Sequence, residues 1–99
     1  MQKKQVTVMV RFKTKPGMGA KLQKAALGII PKTRQEAGCI DYYFHVDEED
    51  PDSFMFYENW MSQKDLDDHL EMPYLKEFIK LLEEVLAEPE DFKHWKIIE

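Results

Sequence analysis

The chain has 99 residues, of which 43% are hydrophobic and 12% aromatic, and its formal net charge is −5. A chain of this length suits a single domain, which we expect over residues 1–99. The negative charge argues against a nucleic-acid or anionic-membrane partner, because phosphate binding depends on clustered Lys and Arg. The lone Cys39 excludes an internal disulfide, and no Cys or His spacing suits structural zinc, so we expect no metal.

The apolar runs in the sequence are short. None approaches the 18 or so residues that a membrane-spanning helix requires, and the valine-rich run from Val6 to Val10 is too interrupted for a secretion signal. We therefore expect no membrane partner and a cytoplasmic location.

The first part of the chain predicts a strand and then a helix. Residues Gln5 to Lys13 alternate at strand period, and Lys15-Pro16-Gly17 predicts a turn. The next apolar residues recur at helical spacing: Leu22, Ala25, Ala26, Ile29, Ile30 and Thr33. Pro31 predicts a kink or break of this helix near Ile30, and Gly38 predicts the left-handed residue that closes it.

The middle of the chain predicts two strands joined by a hairpin. Cys39 to Val46 alternates as a second strand, and the acidic residues 47–52 are interpreted as a solvated turn. A third strand follows, with Phe54, Phe56, Glu58 and Trp60 on one face. Because large residues also occupy its other face, we expect helices on one side of it and a second sheet on the other.

Two helical segments and a last strand complete the chain. Ser62 is expected to cap a short helix that runs to about Met72, and Pro73 suits the first turn of another that continues toward Ala87. Phe92 to Ile98 alternates as a strand.

The resulting order of elements, β, α, β, β, α, β, predicts a fold class. It is the α+β, ferredoxin-like arrangement, a four-stranded antiparallel sheet with helices on one face. The uncovered face is expected to carry Met9, Tyr43, Tyr57 and Trp95 or their alternates. An apolar patch of this kind predicts a homodimer that pairs through its sheets.

A series of short motifs occurs in the order seen in one known family. These motifs are Glu36-x-Gly38-Cys39 with Tyr42, Tyr57-Glu58-x-Trp60, the Ser62 cap, Asp68-His69-Leu70, Pro73-Tyr74 and Phe78. The pattern resembles the antibiotic biosynthesis monooxygenase family and, with the first strand and Pro16-Gly17, covers nearly the whole chain. The resemblance implies a dimeric α+β barrel. It is less specific for substrate, because the family includes cofactor-free quinol monooxygenases, haem degraders, a quorum-signal isomerase and many proteins of unknown activity.

One branch of that family is set aside on three positions. Its haem degraders carry an Asn in the first strand, a Trp at the helix and a His in the following helix. The corresponding residues here are Val10, His69 and Ile79. Haem degradation is therefore not expected, and the resemblance implies an activity without a cofactor.

The two residues singled out for catalysis are His69 and Glu58. A histidine with a pKa near neutrality can take a proton from a phenol or quinol, and the resulting electron-rich anion can react directly with oxygen. His69 matches the family's recurrent helix histidine, although a packing role is an equal alternative. Glu58 is expected to be buried and to need a partner such as Arg11, Arg34 or His69, either to orient the base or as a structural ion pair.

Aromatic residues around these two are candidates for holding a flat substrate. They are Trp60, Phe56, Tyr42, Phe44 and Tyr74. The same aromatic stripe is also what a packed core requires, so a purely structural role stays open.

The sequence is compatible with three functions. The first is a cofactor-independent monooxygenase that acts on a small hydroxylated aromatic or quinol and on molecular oxygen. The second is an isomerase or degradative enzyme for a small sugar-derived signal. The third is a non-catalytic dimeric module that binds small molecules, which predicts a packed site without a ligand-sized cavity.

Overall fold

The computed structural model describes residues 5–99 and contains four strands and three helices. They are β1 (Val6–Lys13), α1 (Gly19–Arg34), β2 (Cys39–Val46), β3 (Ser53–Trp60), α2 (Gln63–Leu70), α3 (Pro73–Val85) and β4 (Asp91–Trp95). The strands form one antiparallel sheet in the order β2-β3-β1-β4. The predicted ferredoxin-like α+β fold is thus confirmed. Within residues 5–99, no helix combines the length and apolar character needed to cross a membrane.

The core lies between the helices and one face of the sheet, here called the covered face. Val8, Val10 and Phe12 of β1 are buried there, and Val10 pairs in register with Phe56 of β3. The helices contribute the buried residues Leu22, Ala26, Ile29, Leu66, Leu75, Phe78 and Leu82. The apolar spacing of α1 therefore predicted which of its residues pack on the sheet.

The opposite side of the sheet, here called the open face, keeps large side chains in solvent. Tyr43 is 51% exposed and Trp95 is 49% exposed, and Tyr57 lies between their strands on β3. Beside them, Thr7 and Asn59 are buried in a polar cluster with Asp41. Pairing of this face with a second copy stays a prediction.

The boundaries around α2 follow from its capping residues. The Ser62 hydroxyl accepts a hydrogen bond from the main-chain N–H of Asp65 at 3.1 Å, as expected for the predicted cap. Met72 has an extended backbone and Pro73 is the first residue of α3, as the sequence predicted. The helix α3 ends at Val85. The strand β4 (Asp91–Trp95) is shorter than the strand expected from Phe92 to Ile98.

At the end of α1, the expected break near Ile30 and the expected left-handed Gly38 are both wrong. The helix runs without a break through Pro31, which has no N–H to donate to the carbonyl of Leu27. Gly38 does not adopt a left-handed conformation, and Gln35 forms the C-cap. A Cβ at Gly38 would lie 2.2 Å from Cγ of Asp65, so glycine is needed there for close packing against α2.

Candidate functional site

A small cavity lies between the covered face of the sheet and α3. Its volume is about 80 Å³. Most of its walls are apolar and come from β1, α3 and β4, namely Val10, Phe12, Leu75, Phe78, Ile79, Leu82 and Phe92. Two buried ionisable side chains, His69 and Glu58, also line it. An apolar space with a few convergent polar groups is the usual form of a small-molecule site.

His69 lies in the last turn of α2 and is almost completely buried. Its Nδ1 is 2.7 Å from Oε2 of Glu36, and its ring centroid is 4.5 Å from that of Trp60. Burial lowers the pKa of His69, and the Glu36 carboxylate opposes this effect. In the tautomer in which Nδ1 carries the hydrogen and donates a hydrogen bond to Glu36, the lone pair lies on Nε2, and Nε2 is the basic nitrogen.

Glu58 is only 4% exposed, on the central strand β3. The indole Nε1 of Trp60 donates a hydrogen bond to its Oε1 at 2.9 Å. Burial raises the pKa of Glu58 to about 7, while the Trp60 hydrogen bond partly opposes that shift. Near neutral pH this carboxyl can therefore be either a hydrogen-bond donor or an acceptor.

The expected partners of Glu58 are not the ones found. Among the described residues, no ion pair joins Glu58 to Arg11, Arg34 or His69. Arg34 instead donates to the main-chain oxygen of Tyr42 at 2.7 Å, and His69 pairs with Glu36. The reason is spatial, because an indole N–H two residues along the same face of β3 already reaches the carboxylate.

The residues proposed from the sequence fall into two groups. The cavity is lined by His69, Glu58, Phe56 and Tyr42. The other three do not line it: Trp60, Phe44 and Tyr74. Trp60 is completely buried behind Glu58, Phe44 stacks on Phe54 with ring centroids 5.3 Å apart, and Tyr74 donates a hydrogen bond to Glu36.

Glu36 is the polar residue that sequence reasoning missed. It was noted only as part of a turn motif, whereas its carboxylate contacts both His69 and Tyr74. The signal available was the carboxylate itself, placed just before the motif's Gly38. Its partner is 33 positions away in the sequence, a separation that no local pattern can bridge.

A wider cleft adjoins the cavity at the end of α3. Its volume is about 420 Å³, and Ile79, Leu82 and Glu90 line both spaces. Glu83 and Glu88 add carboxylates to its wall. The cavity therefore continues toward an acidic opening between α3 and the segment that leads into β4.

Comparison with known proteins identifies the family. Residues 5–81 match the antibiotic biosynthesis monooxygenase family. The chain belongs to this family. The resemblance seen in the sequence motifs is thus confirmed, and the chain has a monooxygenase-type fold.

Individual relatives agree with this assignment. An uncharacterized protein of Synechocystis sp. is 35% identical over 94 residues, which cover 95% of this chain and 64% of that protein's length. A conserved protein from Methanosarcina mazei has a TM-score of 0.89 with 26% identity, covering 95% of this chain and 93% of its own. The crystal structure of an antibiotic biosynthesis monooxygenase also has a TM-score of 0.89, with 23% identity over 95% of this chain and 99% of that one. The similarity to this monooxygenase structure concerns the fold alone.

Proposed function

We propose that the protein is a cofactor-independent monooxygenase that acts on a small hydroxylated aromatic compound or quinol. The observation that carries the proposal is an apolar, aromatic-walled cavity into which a buried imidazole and a buried carboxyl both open. Aromatic walls suit a flat ring, and the two ionisable groups suit its hydroxyl. The family assignment supports the same class of reaction.

The reaction begins with a proton transfer to His69. Its Nε2 accepts the proton of the substrate hydroxyl, and the resulting anion is electron-rich enough to reduce oxygen directly. One oxygen atom of O2 enters the substrate, and the other leaves as water with two hydrogens of the substrate. The substrate supplies all the electrons, so the balance requires no further reductant.

The other residues take supporting roles in this proposal. Glu58, with a pKa of about 7, hydrogen-bonds a substrate oxygen in its protonated form. Phe56 and Tyr42 form the walls against the ring. Trp60 holds the Glu58 carboxyl through its indole N–H rather than stacking on the substrate.

The size of the cavity restricts how a substrate binds. A volume of about 80 Å³ is well below the ~300 Å³ at the lower end of ordinary ligand pockets. We propose that only the reacting end of the substrate enters the cavity and that the remainder lies in the adjoining cleft of about 420 Å³. An apolar wall offers a sugar-derived signal few hydrogen-bond partners, so the isomerase alternative has less support.

We also propose that two copies pair through the open face. The exposed Tyr43 and Trp95, with Tyr57 between them, form the patch that a second copy would cover. Replacing Tyr43 and Trp95 together by Asp is expected to dissociate the dimer in sedimentation velocity, because the contact surface would lose two aromatic side chains and two carboxylates would have to be desolvated in their place. Leu27→Asp, on the exposed side of α1, is the control that should leave it intact. A monomeric wild-type protein at micromolar concentration would refute the dimer.

The test of activity is oxygen uptake by chelator-treated protein with reduced naphthoquinols and anthrones, after subtraction of autoxidation. His69→Ala should lower the protein-dependent rate about 10²- to 10⁴-fold, which is the usual contribution of a general base. His94→Ala, at an exposed histidine on β4, is the matched control and should retain the wild-type rate. Uptake that is equal in wild type, His69→Ala and the blank would refute the proposal.

The small volume of the cavity favours one alternative, a non-catalytic scaffold. Such a module would bind small aromatic compounds without consuming oxygen. Isothermal titration with the oxidised quinones separates the two functions: tight binding together with no oxygen uptake from the reduced forms indicates the scaffold. Binding accompanied by His69-dependent uptake indicates the enzyme.

A further inference from the structure

A chain of hydrogen bonds links His69 to the end of α1. Glu36 Oε2 lies 2.7 Å from His69 Nδ1 and also accepts a hydrogen bond from the Tyr74 hydroxyl. Because the Tyr74 hydroxyl donates its one proton to Glu36, it accepts a hydrogen bond from Oγ1 of Thr33, 3.0 Å away. The carboxylate is therefore held from two sides and is not a freely moving surface group.

The helices and the turn that carry these hydrogen-bonded residues are themselves held in place. Glu36 follows α1 directly, and its main-chain N–H donates to the oxygen of Thr33 at 3.0 Å. Its main-chain oxygen accepts from the N–H of Cys39 at 3.0 Å, which ties the turn to the start of β2. Tyr74 is in the first turn of α3 and His69 is in the last turn of α2. Contacts among three helices thus fix the position of one carboxylate.

The electrostatic surroundings of His69 come from four elements. Glu36 approaches from the turn before β2, Tyr42 from β2, Glu58 from β3 and Tyr74 from α3. Of the two carboxyl groups, only that of Glu36 is within hydrogen-bond distance of the imidazole. A carboxylate at this position both selects the Nδ1–H tautomer and stabilises the imidazolium that forms when Nε2 accepts a proton.

We propose that Glu36 is the positioning residue of His69, with Tyr74 holding the Glu36 carboxylate in place, so that the proton acceptor is a Glu36–His69 pair. This inference rests on the proposed role of His69 as the base. It assigns to Glu36 the orienting function that the sequence had suggested for Glu58. Glu36 does not line the cavity and acts on the substrate only through His69.

The first test needs no substrate. In ¹⁵N-histidine-labelled wild-type protein, long-range ¹H–¹⁵N NMR spectra should show His69 as the Nδ1–H tautomer at a pH where it is neutral. In Glu36→Gln the titration midpoint of His69 should move to lower pH, because the negative charge that favours the imidazolium is gone. Glu58→Gln, at the carboxyl without a hydrogen bond to His69, is the matched control and should move the midpoint less.

The outcomes of this test are separable. A wild-type His69 found as the Nε2–H tautomer would overturn the proposal, and so would an unchanged midpoint in a folded Glu36→Gln variant. The tautomer is read in the wild-type protein, so the proposal remains testable if Glu36→Gln does not fold.

A second test connects the pair to catalysis. Glu36→Gln should reduce oxygen uptake about tenfold or more and should move the acid limb of its pH profile to lower pH, in step with His69. A residue that merely supported the fold would lower the rate without moving the limb. If the wild type consumes no oxygen, the proposed function fails, and the tautomer and midpoint still decide the structural assignment of Glu36.

Discussion

Two consecutive residues of β3, Glu58 and Asn59, show how differently the two faces of the sheet treat buried polar groups. Glu58 points to the covered face, where its carboxyl has one hydrogen-bond donor, Trp60, and borders a cavity. Asn59 points to the open face and is equally buried. Its amide accepts from Thr7 and donates to Asp41 at 3.0 Å and to Tyr57 at 2.9 Å.

The contrast separates a site from a structural network. On the covered face the buried polar groups are ionisable, incompletely paired and next to empty space, so a ligand can change their protonation or hydrogen bonding. On the open face they are largely neutral, and three neighbours satisfy the central amide, so they have little left to offer a substrate. Chemistry is therefore expected on the covered face, and assembly on the open face.

The largest expected effect comes from two neighbouring tyrosines of β2. Tyr42 is buried on the covered face, whereas Tyr43 on the open face is 51% exposed. Tyr42→Ala should lower the free energy of unfolding by about 3–5 kcal/mol, as for other large aromatic core residues. Tyr43→Ala should cost about 1 kcal/mol or less, chiefly the loss of its contact with the guanidinium of Arg34.

Urea denaturation at two protein concentrations tests this pair. Equal costs for the two substitutions would contradict the division into faces. A cost of Tyr43→Ala that grows with protein concentration would indicate that a second copy covers the open face, because the stability of a dimer depends on concentration. The Tyr42→Ala cost should stay constant.

The covered face was predictable from the sequence because its signals are local. Alternation predicted the strand β1, whose Val8, Val10 and Phe12 are buried, and helical spacing selected the buried stripe of α1. The cap at Ser62 and the start at Pro73 follow from the chemistry of single residues. Each of these features depends on positions a few residues apart.

The central contact of the site could not be predicted because it joins distant residues: nothing in the local pattern shows that Glu36 meets His69. The partner of Glu58, by contrast, is the indole N–H of Trp60 two positions away, a local contact that the sequence analysis passed over. Gly38 was misinterpreted because its constraint is the approach of Asp65 on α2 rather than its own backbone angle. The volume of the cavity also cannot be predicted from local sequence patterns. The cavity exists because side chains from β1, α3 and β4 leave a space that none of these elements determines alone.

The next effect concerns pH and distinguishes Glu58 from the neutral groups of the open face. Its pKa rises from an ordinary 4.5 to about 7 on folding, so between these pH values the folded state holds a proton that the unfolded state has lost. The free energy of unfolding should therefore fall as pH rises through this window, by roughly 3 kcal/mol in total.

Denaturation of wild type and Glu58→Gln from pH 5 to pH 7.5 measures this effect. Glutamine keeps an oxygen that accepts the Trp60 hydrogen bond but does not ionise, so the variant should lack the fall. His69 makes the free energy of unfolding rise with pH instead, because its lowered pKa means that the unfolded state binds the proton more tightly below the ordinary pKa of 6.5. The difference between the two proteins cancels that contribution, and parallel pH profiles would contradict the assignment.

The smallest expected effect tests whether the open face holds a mutually satisfied network. Asn59→Leu removes the acceptor of the buried Thr7 hydroxyl and should cost about 1–3 kcal/mol, the usual penalty for an unsatisfied buried group. Asp41 and Tyr57 are partly exposed, so water can replace their bonds to the amide. Adding Thr7→Val removes the orphaned hydroxyl, and the double variant should be less destabilised than the sum of the single variants. Strict additivity would mean that the two side chains do not depend on each other, and the open face would then differ from the covered face only in exposure.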